Sequence, residues 1–290
     1  MSFILLTDTC CNLDQETVDQ FNIHMIPLTY LMDGEEHTSF IDGKATDFKA
    51  IYDELRAGKV ITTSLAKEQD ARAVISELAD AGNDILYLGF SSALSGTFEV
   101  IERVINEAQK THPDQMFHAV DTLCACGGQG LLIKLVARMR NAGANITECA
   151  EWAREHRFNI HHIVTVDDLK YLHRGGRLSR TSAILGSALN VKPLIHINDQ
   201  GALAALDKIR TRKRAVEALL TRFENYAQTP FDEQVVMISH GDCECDANYL
   251  KDELEKRFGV TDCTITFVDP VIGAHTGPGV LTLFFTADQR

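Results

Sequence analysis

The sequence has little positive charge to spare. Its 290 residues carry 28 lysines and arginines against 41 aspartates and glutamates, a formal net charge of −13. A protein that tracks phosphates along nucleic acid needs a basic field, so nucleic acid is not an expected partner. No stretch approaches eighteen consecutive apolar residues, which argues against a membrane-spanning helix. The N-terminal MSFILLTDTCC lacks both the basic segment and the long apolar core of a secretory leader, and the expected location is the cytoplasm. A GxxxxGKS/T phosphate loop is missing, and neither GGQG nor GPG completes a GxGxxG after a strand, so the chain has no recognisable nucleotide-binding loop of its own. Cysteine is plentiful, with eight residues at 10, 11, 124, 126, 149, 243, 245 and 263. The paired CxxC or HxxxH spacing of a zinc site is absent, however, and reduced thiols are expected, with neither a metal nor a disulfide framework.

What remains is an ordinary globular composition, 45% hydrophobic and 24% charged. The length exceeds what one average core supports and suggests two domains. Through the first half, short apolar runs alternate with segments apolar at helical spacing. FILLT, NIHMIPLTYLM (22–32), VITTS, DILYLGF and MFHAVD read as strands. LDQETVDQF, FKAIYDELRAG, EQDARAVISELADAG, the segment after LSGT and a long stretch from 127 to 142 read as helices. GEEHTSFIDGKATD between them reads as a polar connection. Strict alternation predicts a parallel sheet with helices on both faces. In the second half strands follow one another with fewer helices between, which predicts an α+β domain with a mixed sheet. The expected division is 1–155 and 156–290, an α/β architecture with a ligand cleft between the two.

Three strand ends of the first half carry small hydroxyls. They are LLTDTCCN with Thr7, Asp8 and Thr9, YLGFSSALSGT with Ser91, Ser92 and Ser95, and HAVDTLCACGGQG with Asp121 and Thr122. VITTS adds Thr62, Thr63 and Ser64. Hydroxyls and backbone N–H groups around the carboxyl ends of parallel strands suit an oxyanion, although each is also a usual helix cap. VDDLKYLHRGGRLSR places Arg174 and Arg177 about a glycine pair, where a guanidinium presents paired donors to a carboxylate or phosphate. GFSSA resembles a nucleophile elbow with Ala93 in place of the last glycine, and Ser91, Asp121 and His275 follow hydrolase order. His275, in VIGAHTGPGVLTLFF, leaves four roles open: base, metal ligand, anion holder or turn cap. Finally, Lys208, Arg210, Arg212, Lys213 and Arg214 crowd one segment of an acidic chain, either a solvated face or a docking patch for an anionic surface.

Taken together, TDTCCNL, TTS at 62–64, SSALSGT at 91–97, VDDLKYLHRGGRLS at 166–179 and GAHTGPG at 273–279 resemble the DegV family in order and spacing over nearly the whole chain. The resemblance implies a fatty-acid carrier with no catalysis and no cofactor of its own. A long-chain acid such as palmitate or oleate would be held by its carboxylate between the domains, with its chain buried in the second. A separate ATP-dependent fatty acid kinase would then convert it to the acyl phosphate. Carried over by position, Thr63, Ser92, Ser95 and His275 would hold the carboxylate, His275 as an imidazolium, with Arg174 in support. The stretches TSAILGSALNVKPLI and VLTLFF would line the acyl chain. Arg210, Arg212, Lys213 and Arg214 would serve kinase docking or transient membrane contact. A serine hydrolase, or a subunit that holds a small carbonyl substrate on His275, is the alternative.

Overall fold

The first seven strands divide between two sheets according to where the chain turns. The computed structural model describes residues 3–178 and 191–290. β1 (Ile4–Asp8), β2 (Ile23–Ile26), β6 (Ile85–Gly89) and β7 (Phe117–Asp121) form a four-stranded parallel sheet in the order β2-β1-β6-β7. Its inner strands are buried on both sides, as ILLTD and ILYLG with their unbroken apolar runs require. The apolar run 22–32 is not one strand. It breaks at Pro27, whose ring fixes φ and removes a ladder donor, and its second half, β3 (Leu28–Met32), joins a separate antiparallel sheet. There β3 lies between β4 (Glu35–Ser39) and β5 (Ile61–Thr63). β4 falls within the segment read as a connection, because EEHTS is too polar to announce a strand.

A third sheet is mixed and six-stranded, and it is this one that packs with the parallel sheet about α5. β8 (Ile160–Thr165), β9 (Val191–Ile197), β10 (Leu203–Arg210), β11 (Val235–His240), β12 (Asp262–Phe267) and β13 (Leu281–Thr286) lie in the order β10-β9-β8-β13-β11-β12. Only β11 and β12 run parallel, joined by a crossover helix, and the other neighbours are antiparallel. The change of sheet falls between β7 and β8.

The helices are α1 (Gln15–Phe21), α2 (Phe48–Arg56), α3 (Glu68–Asp80), α4 (Thr97–Thr111), α5 (Gly127–Asn141), α6 (Ile146–His156), α7 (Lys170–Arg174), α8 (Arg212–Tyr226), α9 (Glu244–Phe258) and α10 (Pro270–Thr276). α3 pairs with α4 and α5 with α6 about the parallel sheet, while α8 and α9 cover the outer face of the mixed sheet. α5 touches β6 on one side and β8, β11 and β13 on the other, so it is shared by the two sheets. That position explains its sequence, in which Gly127 through Lys134 are all buried and the one buried cation, Lys134, reaches Asp262 at 2.8 Å. Strand β13 shows the period-2 division that follows from the pleat. Leu281, Leu283 and Phe285 pack under α8 and α9 with Leu219, Phe223 and Leu250, and Phe284 joins the core shared with the parallel sheet.

Close packing on α5 leaves no room for a side chain at Gly130. A Cβ there would fall 2.5 Å from the backbone oxygen of Cys11, which cannot move aside as a side-chain tip can. Gly130→Ala gains about 1 kcal/mol of helix propensity but overpacks the contact. The expected net result is a loss of about 1–3 kcal/mol, read as a lower denaturant midpoint at unchanged slope.

Candidate functional site

A cavity of about 270 Å³ opens where the two sheets, α10 and the turn after α7 converge. Its walls are predominantly apolar, with Phe90, Leu172, Ile195, Ile197, Val268 and Phe284 among them. The polar residues Thr63, Ser64, Ser95, Arg177 and His275 also line it. Thr63 ends β5, and its Oγ1 lies 2.8 Å from His275 Nε2. Arg177 donates from Nε to Leu94 O at 3.1 Å and from Nη1 to Gly175 O, so the guanidinium braces the turn that holds Ser95 against the turn that follows α7. Ser95 accepts from Thr97 N at 3.2 Å and donates to Thr97 Oγ1 at 3.1 Å. It therefore caps the start of α4 while facing the cavity.

His275 is placed by a helix that the apolar run conceals. PVIGAHT is α10, begun by Asp269 as cap and Pro270 in the first turn, a combination that marks a helix start. His275 thus stands in the last turn of a helix, not in the turn before a strand. Its Nδ1 packs so closely on Gly175 that a Cβ at that position would come within 2.2 Å, and it has no hydrogen-bond partner among the described residues. A stranded N–H is costlier than an unfilled acceptor, which assigns the proton to Nε2 from the bonding network. Nε2–H then donates to Thr63 Oγ1, and the threonine keeps its own proton for another acceptor.

The expectation of an imidazolium is corrected by this environment. Burial, followed by the positive charges of Arg177 and Arg174, holds His275 down at about 4, so the ring is neutral at pH 7. The formal positive charge comes instead from Arg177, the one arginine or lysine among the described residues that line the cavity.

The other sequence candidates lie elsewhere. Ser92 is half-buried, is not part of the lining, and uses its backbone N–H on Asp121 Oδ1. Arg174 is exposed, with its guanidinium 5.1 Å over the Tyr171 ring, and reaches His275 only through its field. Ser91 is fully buried and donates to Gly201 O at 2.8 Å, while His275 bonds to Thr63 and, among the described residues, to no serine, so the Ser91, Asp121, His275 order does not form a hydrogen-bonded triad. Of the stretch 181–195 assigned to the acyl chain, residues 181–190 lie outside the described residues, Ile195 lines the cavity and Leu194 is buried away from it. From the C-terminal run, Val280, Thr282 and Phe284 face the cavity by strand alternation.

Arg212 also departs from its expected role. Its side chain turns inward to Asp246 Oδ2 at 2.8 Å and to the carbonyl of Gly279 at 2.8 Å, bracing the Gly-Pro-Gly turn. An arginine so engaged is not available to a membrane or partner, whereas Arg210, Lys213 and Arg214 are exposed.

Several lining residues were not foreseen: Cys10, Cys126 and His162. His162 was legible in principle, since the alternation of IHHIVT puts it on the same face as Val164. Among the described residues no three His, Cys, Asp or Glu side chains are grouped to hold a metal, and no helix is long and apolar enough to cross a membrane.

The fold and cavity agree with comparisons across known proteins. The family model described as "Uncharacterised protein, DegV family" matches residues 2–288, and the chain belongs to the DegV family. A DegV domain-containing protein of Clostridium perfringens is 36% identical over 288 residues, covering 99% of this chain and 98% of that one. Among solved structures, DegV of Bacillus subtilis, described as a fatty acid binding protein, is 26% identical with a TM-score of 0.83, covering 99% of this chain and all of that one. A DegV lipid binding protein of Thermotoga maritima is likewise 26% identical, with a TM-score of 0.85 and full coverage of both chains.

A site-resolved NMR titration checks the state of His275. Its ring is expected to stay neutral from pH 8 to below 5 and to take up a proton only near pH 4. Because the folded value lies below that of the unfolded chain, its contribution to stability is complete above about pH 6.5 and is lost as the pH falls toward 4. A midpoint near 6.5 would contradict the buried, arginine-flanked environment.

Proposed function

We propose that this protein binds a long-chain fatty acid in the cavity and presents it to a separate ATP-dependent fatty acid kinase, acting as a carrier and not as the catalyst. One observation carries the reading: a predominantly apolar cavity has on its wall Thr63 bonded to the neutral His275, and Arg177, the one arginine or lysine among the described lining residues. That pattern is complementary to a ligand with one anionic end and a long apolar remainder.

The carboxylate is assigned to the Thr63 hydroxyl and the Arg177 guanidinium, with His275 orienting the threonine and Ser95, its own proton given to Thr97, on the wall beside them. Arg177 takes the place first given to Arg174, and Ser92 is left outside. A carboxylate taken from water needs hydrogen bonds and a counter-charge to offset its lost hydration. Thr63, oriented by the His275 Nε2–H, offers one hydroxyl proton, and the Arg177 guanidinium supplies the charge. The acyl chain runs against Phe90, Val164, Ile195, Ile197 and Phe284, gaining about 0.8 kcal/mol per buried CH₂. The division at 155 splits the anion-holding residues, with Thr63 and Ser95 in 1–155 and Arg177 and His275 in 156–290, and assigns much of the chain-lining sheet to residues 156–290. The described functions of the Bacillus and Thermotoga relatives support lipid as the ligand class. The kinase step rests on the family resemblance, with exposed Arg210, Lys213 and Arg214 as the surface offered to it or to an anionic membrane.

Denaturing extraction of the purified protein followed by mass spectrometry is expected to release a long-chain acid. Titration of delipidated protein with oleate or palmitate is expected to show saturable binding. Loss of one hydrogen bond to a charged group costs about 1.5–3 kcal/mol, so Thr63→Ala and Arg177→Ala should each weaken binding by roughly 10- to 100-fold. Arg174→Ala should change it by less than about threefold, since an exposed charge acts through solvent. Absence of any acyl species together with no uptake of either acid would sink the proposal.

A further inference from the structure

Helix α10 carries His275 but is only seven residues long, too short to hold its own orientation, so what fixes its first turn also fixes the histidine. At that first turn stands Asp269, 1% exposed. Its Oδ1 accepts the N–H groups of Val271 at 2.8 Å and Ile272 at 3.2 Å, and its Oδ2 accepts from Asn12 Nδ2 at 2.8 Å. The Cys10 thiol lies 3.7 Å from Oδ1. Asn12 Oδ1 in turn accepts from the Cys126 thiol at 2.9 Å and from Asp269 N at 3.4 Å. Three segments distant in sequence therefore converge on one buried Asp269–Asn12 pair: the turn after β1, the start of α5, which reaches Asn12, and the start of α10. Asn12 sits at φ 48°, a left-handed conformation that asparagine tolerates better than most residues.

We infer that Asp269 and Asn12 form a buried latch that fixes α10 to the first turn of the parallel sheet and so sets His275 against Thr63, which makes Asp269 a positioning residue for the anion-holding group. This rests on the reading of that group as the carboxylate site. The latch requires a pure acceptor at 269, because every neighbour that points at it is a donor. An amide would cap the helix with its oxygen but would turn its NH₂ toward the NH₂ of Asn12.

The titratable groups facing Asp269 are Asp8, Cys10 and Cys11 beyond β1, Cys126 on α5 and Tyr52 on α2. Burial raises all of them. Asp14, Asp42, Asp47 and Lys49 share with Asp269 the walls of a second cavity. Among the described residues no arginine, lysine or histidine hydrogen-bonds to Asp269, and burial holds its carboxyl up at about 6. As the pH falls through that value, Asp269 gains a proton with no acceptor to receive it. The latch loosens while His275 is still neutral, and ligand affinity declines.

The test compares wild type, Asp269→Asn, Asn12→Gly, and the exchanged pair Asn12→Asp with Asp269→Asn. Two readouts are taken: the His275 ring resonances of the ligand-free protein, and oleate affinity from pH 5 to 8. Asp269→Asn is expected to displace the His275 resonances, weaken binding about tenfold and abolish the affinity inflection near pH 6. Asn12→Gly, which suits the left-handed backbone, should displace the same resonances, and it serves where Asp269→Asn does not fold. The exchanged pair, which restores one acceptor and one donor, should return resonances and affinity to within about threefold of wild type. Folded single variants with wild-type His275 resonances and affinity would overturn the latch. So would an exchanged pair that regains wild-type thermal stability without regaining either readout. If wild type takes up no oleate yet the His275 resonances move in the single variants and return in the pair, the latch stands and the fatty-acid reading fails.

Discussion

The placement of α5 between two sheets is the constraint on which the rest of the molecule depends. The first two turns of α5, Gly127 through Lys134, are buried and so can have no polar stripe, and they must approach their neighbours closely, which explains a first turn of three glycines and a buried cation, Lys134, placed where Asp262 can meet it. Gln129, also fully buried, spends its amide on Thr7 and Asp8 at the end of β1. The helix is thereby tied to the carboxyl edge of the parallel sheet, while Gly127 and Gly128 lie against Phe284 and His162 of the mixed sheet. With the two sheets held in this way, the space beyond the carboxyl ends of the parallel strands becomes a cavity instead of a solvent-filled groove. A fold without this shared helix would leave the same serines and threonines in water, where they are ordinary caps.

Electrostatics at the cavity follow from its dryness. A buried imidazole beside two arginines cannot afford a charge of its own, so the histidine that looks like the cationic jaw of a clamp is instead a neutral orienter of Thr63. The charge resides on Arg177, whose guanidinium is already anchored to two backbone carbonyls and needs no reorganisation to face an anion. Anchoring of this kind also separates the two arginines of the HRGGR segment. They stand three residues apart, one on a helix end stacked on Tyr171 and exposed, the other past the glycines and turned inward. Sequence spacing alone could not tell which was which, because the glycine pair permits either.

The parts of the fold that were legible in the sequence are those with an unambiguous period. The buried parallel strands, the long helices and the alternating strand at 281–286 announce themselves by apolar spacing, and the motif order identified the family. The failures have physical causes. NIHMIPLTYLM reads as a single strand until Pro27 is allowed to end it. EEHTS forms a strand because its partner β3 offers a free edge, not because its side chains favour one. VIGAHT announces no element, because it is short and runs into a Gly-Pro-Gly turn, and only the Asp-Pro before it signals a helix. At the cavity, Thr63, Ser95 and His275, taken from the motifs, line the wall, as does Arg177, whereas Arg174 and Ser92 do not. That division turns on side-chain direction, which a sequence does not record.

The same geometry bears on whether the site could work as an enzyme. Nucleophilic catalysis by serine needs a base within hydrogen-bonding reach to take the hydroxyl proton. Here the buried Ser91 gives its proton to the carbonyl of Gly201, holding the β9–β10 hairpin onto the end of β6. His275 meanwhile directs its one protonated nitrogen at a threonine and turns the other onto a glycine. With a conjugate acid near pH 4, the ring is a weak base at neutral pH. On the proposed reading, a neutral histidine that orients Thr63 beside an anchored arginine would hold the carboxylate as an anion, and a phosphoryl group would have to be brought to it by another protein.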